Sequence, residues 1–96
     1  MAASCPTFGF IAELHPRQDL TPDARRVLWA AWAAFLEAEG LLSSFRAGGS
    51  AAEYAVWREG SQATEADREI TGAWLAQRSE LAEWRLSNLG DLKETP

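Results

Sequence analysis

The chain has little of the chemistry on which most catalytic and metal sites depend. Its 96 residues include one cysteine and one histidine. A single cysteine excludes a disulfide within the chain, and a zinc site built from cysteine and histidine would lack ligands. The sequence also contains no glycine-rich phosphate-binding motif and no GxSxG nucleophile motif. We therefore expect no catalytic residue, no metal ligand and no cofactor, and we predict that the protein is not an enzyme.

Basic residues are also scarce. Nine lysines and arginines stand against fourteen acidic residues, which gives a net charge of −5. This balance argues against a nucleic-acid binder that uses its whole surface, because such a protein needs net positive charge to displace counterions from phosphates. Eight of the nine basic residues are arginine. The planar guanidinium suits recognition of carboxylates or phosphates.

Long apolar runs are missing as well. The longest, residues 27–36, has ten residues, which is half of the roughly 20 that span a bilayer. The first residues show neither the basic region nor the apolar run of a secretion signal. We expect a cytoplasmic protein with no membrane partner and no small-molecule substrate.

What the chain does have is enough apolar material for one core. Apolar residues make up 47% of the sequence, and a disordered chain would have fewer. A second independent core would not fit in 96 residues. We predict a flexible N-terminus over residues 1–7, a single α+β domain over residues 8–92 and a C-terminal tail over residues 93–96.

Periodicity and capping residues predict the order of the elements. Period-two patterns indicate strands, and a Thr-Pro pair and a second threonine are suited to begin helices. The predicted elements are a strand at 8–14, a helix at 22–39, a hairpin of strands 41–47 and 51–58 with a Gly48-Gly49-Ser50 turn, a helix from Thr64 to 77–78, a strand at 81–86 and a polar tail at 88–96. The β-α-β-β-α-β order is the ferredoxin-like pattern, with a four-stranded antiparallel sheet and both helices on one face.

The same patterns predict which side chains are buried. On the first helix the apolar stripe is centred on Leu28 and includes Val27, and on the second it contains Ile70 and Trp74. The predicted core consists of Phe10, Leu14, Leu28, Trp32, Phe35, Val56, Ile70, Trp74 and Leu86.

Three residues near the start of the first helix form the candidate binding site. Arg25, Arg26 and Trp29 lie within about one turn, beside the core stripe. Arginine and tryptophan are enriched at the centres of binding interfaces. We therefore predict that these three side chains contribute to contact with a macromolecule. The competing interpretation of Trp29 is that it only covers the edge of the sheet.

RNA-recognition modules share the predicted strand order, but they carry aromatics for base stacking on one face of the third strand, together with basic residues. Here Tyr54 and Trp57 fall on opposite faces of that strand, and Glu53 stands where positive charge is needed. The pattern therefore disfavours RNA binding by the face of the sheet.

A set of short matches distributed along the chain resembles the YggL-like family, small bacterial proteins that bind the large (50S) ribosomal subunit. Their order and spacing carry the resemblance, most strongly from Gly60 to Asp91. They are Gly9-Phe10, Phe35-Leu36-Glu37-Ala38, Gly40-Leu41, Gly48-Gly49, Gly60-Ser61, Thr64-Glu65-Ala66, Arg68-Glu69, Trp74-Leu75, Glu80-Leu81, Glu83, Ser87, Leu89 and Asp91.

The resemblance implies a ribosome-associated factor with no catalytic residues. Members of the family typically begin with an arginine- and lysine-rich arm, and residues 1–7 contain no basic residue. Two hypotheses therefore stay open. The partner is either the large ribosomal subunit, or another protein to which this chain binds as an acidic module or inhibitor that occupies a basic site.

Overall fold

The structure, a computed structural model, describes residues 8–47, 52–58 and 62–91. The elements are β1 Phe8–Pro16, α1 Pro22–Ala38, β2 Leu41–Ala47, β3 Ala52–Arg58, α2 Glu65–Ala76, β4 Leu81–Leu86 and β5 Gly90–Asp91. The predicted flexible N-terminus, the Gly48-Gly49-Ser50 turn and the tail at 93–96 lie outside the described residues.

The main strands form one antiparallel sheet in the order β2-β3-β1-β4. In β2 and β3, Leu41 lies opposite Arg58 and Phe45 lies opposite Tyr54, so the predicted hairpin strands are paired. β1 lies between β3 and β4 and pairs with both. Buried side chains of both helices join one core with those of β1 and β3, which places the helices on the same face. The predicted α+β, ferredoxin-like fold is confirmed.

The last described residues differ from the sequence-based prediction. Residues 88–96 were expected to form a polar tail, but Gly90 and Asp91 make a short strand, β5. Gly90 pairs with Gly9 and Asp91 with Phe8, at the start of β1. β4 pairs with the later residues of β1, from Ala12 onward. β5 therefore continues the same edge of β1 beyond the point where β4 ends.

Capping interactions fix both helix starts, as their sequences predict. The hydroxyl oxygen of Thr21 accepts a hydrogen bond of 3.1 Å from the backbone N–H of Ala24, and Pro22 occupies the first turn of α1. Thr64 and Asp67 form a reciprocal capping box at the start of α2. At the other end of α1, Gly40 has φ +73°, a left-handed conformation that glycine adopts without the steric cost of a Cβ.

The core lies between the helices and the covered face of the sheet. Five of the predicted core residues are buried, namely Phe10, Leu14, Leu28, Trp32 and Val56. Phe35, Trp74 and Leu86 are partly buried and pack against this core.

The predicted face of α2 is wrong. Ile70 was expected in the core, but 43% of its surface is exposed. The helix instead buries Asp67, Thr71 and Leu75. Polar groups can be buried when they are hydrogen-bonded, and the hydroxyl group of Thr71 donates to the carbonyl oxygen of Asp67 at 2.8 Å. The helix is therefore rotated by about one residue from the orientation that apolar periodicity predicts.

α1 is rotated in a similar way. Val27, placed on the predicted stripe, is 60% exposed, whereas Leu36 is buried with Leu28 and Trp32. These three residues follow each other at intervals of four, the spacing that places them on one side of a helix. The stripe is therefore centred on Trp32, and Val27 falls far from that centre.

Candidate functional site

The three predicted site residues occupy neighbouring positions on the surface of α1. Trp29 follows Arg25 by four residues and Arg26 by three, so the three side chains share one side of the helix. Trp29 is partly buried and packs against the core. Its ring centroid lies 6.0 Å from that of Tyr54 on β3. Trp29 therefore covers the sheet while its remaining surface faces outward beside the two arginines.

The two arginines have different surroundings. Arg26 is exposed and forms an ion pair with Asp23, with 2.8 Å between Nη1 and Oδ1. Arg25 is partly buried, and its Nη2 donates to the carbonyl oxygen of Arg17 at 3.5 Å. Within the described ranges no carboxylate pairs with Arg25. Its charge is therefore the less compensated of the two.

Two aromatic residues that the sequence-based prediction did not include extend this surface across the sheet. Phe45 on the outer strand β2 is 58% exposed. It meets Tyr54 edge to face, with 5.5 Å between the ring centroids. The ring of Tyr54 also packs against that of Trp32, with 5.8 Å between the two ring centroids. We call Trp29, Tyr54 and Phe45 the aromatic row. The signal that could have found it was the β2–β3 register, which places Phe45 opposite Tyr54.

Arginines collect at the end of the domain where β1 ends, α1 begins and α2 ends. The backbone N–H of Arg17 donates to the carbonyl oxygen of Glu80 at 2.9 Å, which joins the loop after β1 to the loop after α2. We call this region the arginine end; it contains Arg17, Arg25, Arg26 and Arg78, together with the carboxylates of Asp19, Asp23 and Glu80.

Hydrogen bonds hold two of these arginines in fixed positions. Arg17 binds Asp19 through two contacts, of 3.0 Å from Nε and 2.6 Å from Nη2. The hydrogen bond from Arg17 holds the pKa of the Asp19 carboxyl below its usual range. The guanidinium of Arg78 lies 4.8 Å from the centroid of the Trp74 ring and bonds Glu80 at 2.8 Å. Cation–π contact of this kind restrains an arginine side chain.

The opposite end of the domain is acidic. It comprises the last turn of α1, the first turns of α2 and the last residue of β3. We call it the acidic end, and its charged residues are Glu37, Glu39, Glu65, Asp67 and Glu69, with Arg58 and Arg68. Among the described side chains, five carboxylates therefore stand against two guanidinium groups at the acidic end, whereas four guanidinium groups stand against three carboxylates at the arginine end. The negative net charge is segregated rather than evenly spread.

The face of the sheet that carries no helix is also rich in carboxylates. Glu13 on β1 lies directly opposite Glu53 on β3, and its Oε2 is 2.5 Å from Nε2 of His15. Glu83 and Arg85 form an ion pair on β4. A shallow cavity of about 230 Å³ lies beside Ile11, Glu13, Arg85, Leu86 and Ser87. This face disfavours phosphate, because like charges repel.

Across residues 8–47, 52–58 and 62–91, no group of three histidine, cysteine, aspartate or glutamate side chains could hold a metal ion. No helix within those ranges has both the length and the apolar character to cross a membrane.

The fold and its surface thus define a small α+β domain whose charge is divided between two ends. A family model described as the YggL 50S ribosome-binding protein matches residues 5–93. The match covers nearly the whole chain, and the protein belongs to this family. No curated protein and no solved structure matches the chain.

Proposed function

We propose that this protein is a non-enzymatic factor that binds the large ribosomal subunit. The observation that carries the proposal is the family match over residues 5–93, since the family is described by 50S ribosome binding and not by a catalytic activity. Binding of this kind would place the protein with ribosomes in the cytoplasm.

The arginine end supports the proposal and is the surface that we assign to the contact. Arg25 and Arg26 can neutralise phosphates of ribosomal RNA, because guanidinium groups bind phosphate oxygens through charge-assisted hydrogen bonds. Trp29 adds an aromatic ring on the same side of the helix, and this ring is held against Tyr54. The helix-free face of the sheet is the poorer candidate, because Glu13 and Glu53 oppose each other there.

A second candidate function is an acidic module or inhibitor that occupies a basic site on another protein. The observation that favours it is the acidic end, with Glu37, Glu65 and Glu69 exposed. In this case the carboxylates would make the contact and the arginine end would face solvent.

Sedimentation with purified large subunits tests the first function. The protein is mixed with 50S particles and centrifuged through a sucrose cushion at several salt concentrations. We expect it to co-sediment at low salt and to be released as salt rises, because phosphate contacts depend on counterion release. Two results together would support the second function instead. The protein would stay in the supernatant at every salt concentration, and it would elute from lysate in a light complex free of RNA.

Matched charge variants identify the surface. The double variant Arg25→Gln/Arg26→Gln removes two positive charges from the arginine end, and Arg85→Gln is the control on the helix-free face. Arg85 is well exposed, with 71% of its side chain accessible. The double variant should weaken 50S binding and reduce the log–log salt slope by about 0.7–0.9 for each lost phosphate contact, while Arg85→Gln should behave as wild type. Equal effects of both variants would remove α1 from the interface.

A further inference from the structure

We propose that the aromatic row, and Phe45 above all, is a stacking platform for an unpaired RNA base. The inference rests on the proposed function and specifies the chemistry of its partner. It assigns a role to a residue on the outer strand of the sheet, away from the helix on which the sequence-based prediction centred.

The first argument is the unusual position of Phe45. It is 58% exposed, although it lies on the covered side of the sheet with Tyr54 opposite. The edge-to-face contact at 5.5 Å holds the Phe45 ring from below. Its outer surface therefore stays open while its orientation is restrained. Rigid aromatic rings with a free face are the elements on which proteins stack single-stranded bases.

The second argument is the charge around the row. Arg25 lies one helical turn from Trp29 at one end of the row. The nearest carboxylate along β3, that of Glu53, belongs to the opposite face of the sheet, where it lies across from Glu13. An aromatic surface with a guanidinium group at one end suits a base with its phosphate better than an acidic or purely apolar partner.

The third argument concerns the backbone at the edge of the sheet. An exposed outer strand can bind an extended peptide or a second copy of the chain as an additional strand. Here the register shifts between Phe45 and Ala47, and a bulge of this kind interrupts the hydrogen-bonding ladder and twists the edge away. The side chain of Phe45, rather than its backbone, is therefore the group available for recognition.

Photocrosslinking on the intact particle tests the proposal directly. Phe45→p-azidophenylalanine is prepared in the full chain, bound to purified 50S subunits and irradiated. The matched control is Leu42→p-azidophenylalanine, since Leu42 is on the same strand and is 38% exposed, but it lies opposite Trp57 on the helix-free side. We expect position 45 to crosslink to ribosomal RNA at an unpaired nucleotide and position 42 to give little RNA crosslink.

A substitution series then distinguishes stacking from simple apolar contact. Phe45→Tyr keeps the ring, and Phe45→Leu keeps a large apolar side chain without it. We expect Phe45→Tyr to bind 50S subunits within about twofold of wild type and Phe45→Leu to bind about 5- to 150-fold more weakly, the range expected for loss of one stacked base. Circular dichroism should show the same fold for all variants, because Phe45 is mostly exposed.

The outcomes separate this inference from the proposed function. If wild-type protein does not bind 50S subunits, the proposed function fails. If it binds, three results would each overturn the stacking platform alone: crosslinks from position 45 to a ribosomal protein, no crosslink from position 45, or binding by Phe45→Leu equal to wild type.

Discussion

Replacing Asp67 with asparagine should destabilise the protein, because this carboxylate is buried and hydrogen-bonded to two other parts of the chain. The carboxylate is buried, with 8% of the residue exposed. It accepts two hydrogen bonds from Arg58, at 2.6 and 3.2 Å, and one from the backbone N–H of Thr64 at 3.0 Å. Asparagine has the same shape but only one acceptor oxygen. If that oxygen takes the position of Oδ2, it keeps the bonds from Thr64 and from Nε of Arg58, and the amide N–H₂ group then faces the Nη2 donor of Arg58 without forming a bond.

The magnitude follows from the bonds that are lost. A hydrogen bond to a charged group contributes about 1.5–3 kcal/mol and a helix cap about 1 kcal/mol. Since asparagine can keep the cap and one bond from Arg58 but loses the other, 2.6 Å bond, we expect Asp67→Asn to lower the free energy of unfolding by about 2–3 kcal/mol. Removal of one partner from a fully buried ion pair costs about 3–5 kcal/mol. The effect here should be smaller, because 32% of the Arg58 side chain is exposed and can be hydrated.

The measurement is urea unfolding followed by tryptophan fluorescence at pH 7. Glu65→Gln is the matched control, because Glu65 lies in the same turn and pairs with Arg68, but 56% of its side chain is exposed. Its loss should cost less than about 1 kcal/mol. A cost below about 0.5 kcal/mol for Asp67→Asn would refute the reasoning, since that is the range of ordinary surface substitutions.

Acid should remove the same stabilisation from the wild type. The hydrogen bonds from Arg58 hold the pKa of the Asp67 carboxyl below its usual value, against the opposing effect of burial. A carboxyl whose pKa is lower in the folded state stabilises the fold above the unfolded pKa, near 3.9. That contribution is lost as pH falls through the folded pKa. The difference between wild type and Asp67→Asn should therefore be constant above about pH 5 and shrink below it. A difference that stays constant down to pH 2 would contradict this assignment.

Three further stability predictions can be checked by the same unfolding measurement. Leu75→Ala should cost about 2–5 kcal/mol and Ile70→Ala less than about 1 kcal/mol, and the reverse order would show that α2 is rotated as its apolar pattern predicted. Gly40→Ala should cost about 1–2 kcal/mol because of the left-handed backbone, whereas a cost near zero would mean that this conformation relaxes. The indole N–H of Trp32 is buried with no hydrogen-bond partner among the described residues. Trp32→Phe keeps an aromatic ring and removes this unpaired donor, so it should cost less than the 3–5 kcal/mol typical of truncation to alanine, and a cost above about 3 kcal/mol would contradict this.

The order of the elements was predictable because local signals specify it. Thr21 and Thr64 cap the helices as expected, and Gly40 ends α1 with a positive φ. Period-two patterns mark β1, β3 and β4. These signals lie within a few residues of the element that they define. They can therefore be recognised in the sequence without knowledge of the tertiary structure.

The orientation of α2 was not predictable from the same signals, because it depends on a partner from another element. Asp67 and Thr71 are polar, so the apolar periodicity of the sequence assigns them to the solvent-exposed face of α2 and assigns Ile70 to the buried face. The structure buries them because Arg58, on β3, supplies hydrogen bonds to the Asp67 carboxylate. This ion pair joins Arg58 of β3 to Asp67 of α2. The sequence of α2 alone contains no signal that predicts it.

The candidate site also combines a feature that local sequence predicts with a feature that depends on contacts between elements. The clustering of Arg25 with Trp29 follows from helix periodicity alone, and the structure brings these residues together as expected. The aromatic row requires the register between two strands, since Phe45 reaches Tyr54 across the hairpin. A predicted hairpin without its register leaves each aromatic with two possible faces. The residue on which the stacking proposal rests was therefore beyond the reach of the sequence.

A net charge of −5 would repel RNA if the charge acted as a whole, but its distribution changes that conclusion. Arg25 and Glu37 lie on the same helix, twelve residues apart, which corresponds to about 18 Å along the axis. The Debye length at physiological ionic strength is about 8 Å, so solvent ions screen most of the field of the acidic end before it reaches the arginine end. A phosphate approaching α1 would therefore respond mainly to the nearby guanidinium groups. At low salt, where screening extends over about 30 Å, the field of the acidic end would also reach the RNA and would turn the arginine end toward it. The net charge thus favours one binding orientation and does not exclude RNA as the partner.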